Sequence, residues 1–265
     1  MRKIFLEDID LSQLKPINNQ GHHESILLHD DTTAYKLFDD LEESKLTRKE
    51  RKIELLGDGS QLLGTIMPTS ELFYYFPFET FQGAGMDYIS GAETLYQKFS
   101  SDINKDEFLQ ILNIISQTLM EIHKDSRNII ISDLHAGNII VDPNNNPYFI
   151  DIDSCKIDGI KNDAIPVMLK KYLSKRNLFT SIESFETTPN TDRLCFLLMI
   201  LNIIFKKSFD RITLYEYDEK LEHIEILKEL RSLITLLKIS PFIPEIPYFH
   251  EISPMHQIKR NLKRI

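Results

Sequence analysis

The stretch Ile130-Ile-Ser-Asp133-Leu-His-Ala-Gly-Asn138-Ile-Ile-Val-Asp-Pro-Asn-Asn-Asn-Pro-Tyr-Phe-Ile-Asp151-Ile-Asp153 constrains the chain more than any other. Two apolar strands, Ile139–Val141 and Tyr148–Ile150, flank a turn of Asp142-Pro-Asn-Asn-Asn-Pro147. Asn and Pro between β-branched runs read as a hairpin. Pairing Val141 with Tyr148 sets Ile139 against Ile150 and Asn138 against Asp151. An amide oxygen then lies beside a carboxylate, with Asp133 just upstream. Such oxygen donors suit Mg²⁺, which keeps several waters and completes its shell with one or two protein groups and substrate phosphates.

Composition narrows the classes. The chain has 265 residues, long enough for one or two domains with a substantial core. Its net charge of −9 opposes broad nucleic-acid binding, which needs a basic surface. The apolar run Leu194–Phe205 is too short to span a bilayer and reads as a buried helix. No membrane partner is expected. Cys155 and Cys195 are the only cysteines, which suits a reducing compartment. Met1-Arg-Lys-Ile-Phe-Leu-Glu-Asp does not read as a signal peptide, because acidic residues interrupt any apolar core. The expectation is a soluble, cytoplasmic protein.

Along the chain, residues from about 14 to 90 read as strands with one helix. Leu14–Asn18, Ser25–His29 and Thr32–Phe38 are strand candidates, and Asp30-Asp31 turns between the last two. Leu41–Leu56 reads as a charged helix stopped at Gly57. Thr65–Met67, Leu72–Phe76 and Ala84–Tyr88 follow as strands. From about residue 92 the pattern becomes helical. Asn104 is the cap of a helix, with Glu107 as its capping-box partner. Phe108, Leu112, Ile115, Leu119 and Ile122 recur at helical spacing on one apolar face. Asp192–Phe205 and Leu221–Leu237 read as further helices.

The central segment resembles the catalytic loop and metal-binding segment of the protein kinase-like superfamily, whose pattern is Asp-x-x-x-x-Asn followed about thirteen residues later by a metal-binding Asp. Asp133-Leu-His-Ala-Gly-Asn138 is similar to the aminoglycoside phosphotransferase branch, and Asp151-Ile-Asp-Ser154 to atypical bacterial kinase-like proteins. The resemblance spans roughly residues 14 to 205. It implies an α+β, bilobal fold, with a β-rich lobe over residues 1–90 and a larger helical lobe over 91–265.

It also implies roles. Asp133 would orient the attacking hydroxyl, and Asn138 and Asp151 would hold Mg²⁺. Asp153 would bind a second ion or bond the loop backbone. His135 stands where many kinases carry a lysine, and would contact phosphate or support the loop. Lys36, in Thr33-Ala-Tyr-Lys-Leu-Phe38, would contact the α- and β-phosphates of ATP, held by a helix carboxylate. Glu50 is the chosen partner, and Glu54, on the same side of the helix, is the rival. Gly21 and Ser25 lie where a glycine-rich loop would cover the phosphates, although only one glycine is present there. Asp87 and Tyr88 to Ile89 would offer backbone groups to adenine. Asp192 would anchor the catalytic-loop backbone. Ser132 replaces the arginine usual before the catalytic aspartate, and the usual Phe-Gly after Asp151 is missing.

The expected activity is ATP- and Mg²⁺-dependent phosphate transfer to a hydroxyl, as in an atypical Ser/Thr protein kinase. A small-molecule kinase of the aminoglycoside or sugar type is the enzymatic alternative. A nucleotide-binding pseudokinase is the non-enzymatic one.

Overall fold

The computed structural model describes residues 2–17, 25–38, 41–57, 68–75, 80–100, 104–162 and 187–205. These form an α+β protein with two sheets. The larger sheet has six strands: β1 (Arg2–Phe5), β2 (Lys15–Pro16), β3 (Ser25–His29), β4 (Thr33–Phe38), β5 (Pro68–Tyr75) and β6 (Thr80–Asp87), in the order β1-β5-β6-β4-β3-β2. Its neighbours are antiparallel except β1 and β5, which run parallel with Arg2 opposite Glu71. The strand β1 was not expected. Its four residues show too little alternation to declare themselves, and they pair with a strand far along the chain.

The β3–β4 hairpin is closed by Asp30. Its Oδ1 accepts the N–H groups of Thr32 and Thr33, each at 2.7 Å, and its Oδ2 accepts the Tyr35 hydroxyl at 2.8 Å. An Asp that bonds its own turn in this way makes the reversal locally favourable. Along β4, side chains alternate between faces. Leu37 packs with Leu6 on one side, while Phe38 joins Leu46, Ile53, Leu72, Tyr74, Phe81 and Ala84 on the other. Leu46 and Ile53 belong to α1 (Glu43–Gly57), so this helix covers the Phe38 face. Lys36 shares the face of Phe38, two residues away, and therefore looks toward α1. Behind it, Gly83 on β6 lets the strands close up. A Cβ there would stand 2.2 Å from the Lys36 carbonyl oxygen.

The second sheet has the order β7-β8-β9, from β7 (Glu93–Thr94), β8 (Ile139–Val141) and β9 (Pro147–Phe149). The change of sheet falls between Asp87 and Glu93. Helix α2 (Leu95–Lys98) begins in a capping box, Thr94 with Gln97. Helix α3 (Lys105–Lys124) is capped by Asn104, whose side chain accepts the N–H groups of Asp106 and Glu107. The Glu107 carboxylate turns to Lys98 at 2.9 Å rather than back to the cap as expected. All five residues of the expected apolar face of α3 are buried.

Helix α4 (Pro189–Phe205) carries the apolar run, with Cys195, Phe196, Leu198, Met199, Ile200 and Ile203 buried. A helix that is apolar all round is one that is enclosed. Among the described residues, no helix is long and apolar enough to cross a membrane. The strand expected at 65–67 and the helix expected at 221–237 lie outside the described residues.

Candidate active site

The hairpin is present, one residue out of the expected register. Ile139 pairs with Phe149, Ile140 with Tyr148 and Val141 with Pro147. Asn138 therefore lies opposite Ile150, whose N–H donates to the Asn138 carbonyl at 3.0 Å. A one-residue slip moves a side chain to the other face of a strand. Asp151 escapes that rule because it lies two residues beyond β9 and its backbone is left-handed, with φ of 61°. The chain turns there into a short 3-10 segment, Ile152–Ser154, secured by the Ser154 hydroxyl on the Asp151 carbonyl at 3.0 Å. The turn residues that set the hairpin are visible in sequence, but the backbone sign at Asp151 is not.

Asp133 is placed by the backbone around it. Ser132 has φ of 68°, which turns two successive N–H groups toward one acceptor. Asp192 Oδ2 accepts the Ile131 N–H at 2.8 Å, and Oδ1 accepts the Ser132 N–H at 2.7 Å. Asp192 is wholly buried in the first turn of α4. His123, from α3, donates through Nε2 to the same carboxylate at 2.9 Å. These contacts place Asp192 where it was expected, and His123 is an addition that no sequence signal announced. The Asp133 side chain itself is one-third exposed. A bridge between Ile130 and Lys156 ties the loop to the chain beyond Asp151.

Asn138 is buried, and its Nδ2 donates to the Asp133 carbonyl at 3.0 Å. That fixes the amide orientation and leaves Oδ1 without a hydrogen-bond partner among the described residues. His135 Nδ1 accepts the Gly137 N–H at 3.1 Å, so the neutral ring carries its proton on Nε2. Nε2 stands 3.8 Å from Asp133 Oδ2.

Lys36 crosses from the large sheet to this region. Its Nζ is bonded to Asp151 Oδ1 and, at 2.6 Å, to Asp153 Oδ1. The expected partnership with Glu50 is absent. Glu50 accepts the Tyr74 hydroxyl, and Glu54 pairs with Arg51 at 3.1 Å on the surface. The α1 residue that does face the site is Lys49, with Nζ 2.8 Å from Asp153 Oδ2. Leu46, Lys49, Lys52, Ile53 and Leu56 are the buried residues of α1, recurring at spacings of three and four. That stripe was the available signal for Lys49, overridden by the habit of placing lysine in solvent.

Both oxygens of Asp153 are thus engaged by lysines, and among the described residues neither bonds the loop backbone. Burial opposes every charge here. The carboxylates of Asp153 and Asp151 nevertheless hold the Lys36 ammonium above the usual lysine range. Burial likewise works against the Asp153 carboxylate, yet Lys36 and Lys49 hold it well below the usual range. Desolvated ions persist only when paired this closely.

The remaining expected positions are less complete. Gly21 and the Ser25 side chain lie outside the described residues. Asp87 belongs to the β4–β6 ladder opposite Thr33, and the Tyr88 N–H is used by the Thr32 carbonyl at 2.8 Å. Of the Tyr88 backbone groups, the N–H is therefore already engaged within the sheet. The Ile89 N–H has no such partner among the described residues.

Oxygen donors suited to Mg²⁺ remain. Asn138 Oδ1 and Asp151 Oδ2 accept no hydrogen bond among the described residues. Two such donors fit an ion that takes the rest of its shell from water and phosphate. Among the described residues, no three His, Cys, Asp or Glu side chains form a metal-binding group. No protein-family model matches the chain, and no curated protein matches it.

Proposed function

We propose that the protein is an ATP- and Mg²⁺-dependent phosphotransferase with a two-lobed, kinase-like fold, lobes at residues 1–90 and 91–265. It would transfer the γ-phosphoryl group to a hydroxyl, as an atypical Ser/Thr protein kinase does. One observation carries the reading: the ammonium of Lys36, on β4, lies on the carboxylate of Asp151, beyond the hairpin. A cation and an oxygen donor brought together from opposite parts of the chain suit the two ends of a triphosphate.

In this reading Lys36 binds the α- and β-phosphates. Asn138 and Asp151 are the Mg²⁺ ligands, and the ion supplies charge neutralisation at the phosphates. Asp133, one-third exposed, orients the acceptor hydroxyl and accepts its proton. Asp192 and His123 keep the loop under Asp133 in place. The Ile89 N–H meets the adenine edge. Catalysis is then positioning and electrostatic stabilisation, with little covalent work for the protein.

A nucleotide-binding module without transfer is the second reading. It is favoured by Lys36 occupying both carboxylates that follow the hairpin. Incubation with γ-labelled ATP, Mg²⁺ and a lysate separates the two. Label on protein, lost in Asp151→Ala and reduced about 10³-fold in Asp133→Asn, supports the kinase. Label on a small molecule moves the acceptor to that class. Nucleotide binding with no label sensitive to either substitution removes the transferase.

A further inference from the structure

The residue that α1 sends to the site is a cation. Of the two carboxylates that hold Lys36, one is Asp151 and the other is Asp153, on the 3-10 turn just after it. Asp153 uses one oxygen for each lysine, Oδ1 for Lys36 at 2.6 Å and Oδ2 for Lys49 at 2.8 Å. A carboxylate engaged on both oxygens cannot turn without breaking a charge-assisted bond. The two ammonium groups also share one aromatic support. Lys36 Nζ is 5.4 Å and Lys49 Nζ 5.0 Å from the centre of the Phe38 ring. Helix α1 is itself fixed to the same part of the chain. Arg127 Nη1 donates to the carbonyls of Leu55 at 2.9 Å and Leu56 at 3.2 Å, at the C-terminal end of the helix.

We infer that Lys49 is a positioning residue for Lys36, acting through Asp153. The inference rests on the phosphotransferase reading and deepens it. A nucleotide must draw Lys36 toward its phosphates, and the metal draws on Asp151. Asp153 is then the anchor that remains. With Lys49 on its second oxygen, Asp153 stays in place and its charge is shared between two cations. Lys36 is thereby aimed but not trapped. Without Lys49, the whole buried charge of Asp153 falls to Lys36, which is held back from the phosphates. The helix contribution thus has the opposite sign from the carboxylate that was expected at Glu50.

The test is binding of mant-ATP with Mg²⁺ to the full chain, by fluorescence titration, in a double-mutant cycle. Lys49→Met is expected to weaken binding about tenfold, and Lys49→Arg to recover it to within about threefold. Asp153→Asn weakens binding, and Lys49→Met added to it costs nothing further, because the route runs through Asp153. Glu50→Gln stays within about twofold of wild type. Lys49→Gln replaces Lys49→Met if the latter does not fold. A Lys49 variant indistinguishable from wild type, or effects of Lys49→Met and Asp153→Asn that simply add, overturns the inference while leaving the nucleotide reading intact. A wild-type protein that binds no mant-ATP overturns the nucleotide reading instead. The positioning relation is then read in the nucleotide-free protein from acetic anhydride labelling of Lys36. Labelling changed by both Lys49→Met and Asp153→Asn keeps the relation, and labelling unchanged in both removes it.

Discussion

The N–H of Ser132 is held by the Asp192 carboxylate at 2.7 Å, across sixty residues of sequence. The contact exists because Ser132 adopts a left-handed backbone, uncommon for a residue with a side chain. Asp192→Asn would keep the shape but remove the charge and set an NH₂ group against one of the two backbone N–H donors. A loss of about 3 kcal/mol is expected, because bonds to a buried charge are each worth more than neutral ones. Urea denaturation, comparing midpoints at constant slope, measures it. An Asp192→Asn protein as stable as wild type would show that the loop is held by other contacts.

Gly83 makes a second prediction. A methyl group there would lie 2.2 Å from the Lys36 carbonyl oxygen, a backbone atom that cannot step aside. Gly83→Ala should destabilise the protein by roughly 1–3 kcal/mol as β4 and β6 are pushed apart. Mant-ATP affinity should fall with it, since Lys36 rides on the displaced strand. Unchanged thermal midpoints for Gly83→Ala would mean that the sheet relaxes more easily than its ladder implies.

Acid titration provides a third. Burial alone would raise the Asp30 carboxyl. The N–H groups of Thr32 and Thr33 and the hydroxyls of Tyr35 and Thr32 outweigh it and bring the value down to about 2. A carboxyl lowered in the fold stabilises the protein fully above its ordinary value, and that contribution disappears as pH falls toward 2. Asp30→Asn should therefore cost about 1 kcal/mol at neutral pH, screened by the exposure of the turn, and almost nothing near pH 2. Parallel denaturation curves at the two pH values decide it; an equal cost at both would locate the effect elsewhere.

The cysteines offer a fourth. Cys155 and Cys195 are both fully buried. Burial, with the charges of Asp192 and Asp133 added, pushes the Cys195 thiol well above its ordinary value. The thiolate is the reactive form, so Cys195 should be inert toward an aromatic disulfide reagent in the native protein and react on unfolding. Rapid labelling of Cys195 under native conditions would indicate that α4 opens readily.

Some of this was legible in the residues alone. The stripe on α3 and the apolar helix α4 follow from periodicity and composition, which tertiary context rarely overturns in long segments. The hairpin was legible because its turn is made of residues that bond their own backbone. Asp142 Oδ1, for instance, accepts the N–H groups of Asn144 and Asn146, both at 2.8 Å. Its register was not, since nothing local says that Phe149, and not Ile150, is the last residue to pair. The Lys49 contact was harder still. A buried lysine is stable only beside a carboxylate, and this one lies 104 residues away. Local spacing marked position 49 as inward, but nothing nearby could say that a charge would be welcome there. Glu50 drew attention as the residue type that the resemblance called for, while its actual partner, Tyr74, sits on a strand of the same sheet.

Helix α1 belongs to two neighbourhoods at once. Its apolar side completes the layer beneath the six strands, through Leu46 and Ile53. Other attachments, Lys49 to Asp153 and the Leu55 and Leu56 carbonyls to Arg127, lead into the chain around the hairpin. Melting the sheet would strip the helix of its apolar contacts, and melting the hairpin neighbourhood would leave Lys36 and Lys49 without the Asp153 counter-charge. Loss of order cannot then stop at a border between the two sheets. Heat or denaturant should meet a single cooperative unit, whose sheet signal and Cys195 reactivity change at one common midpoint.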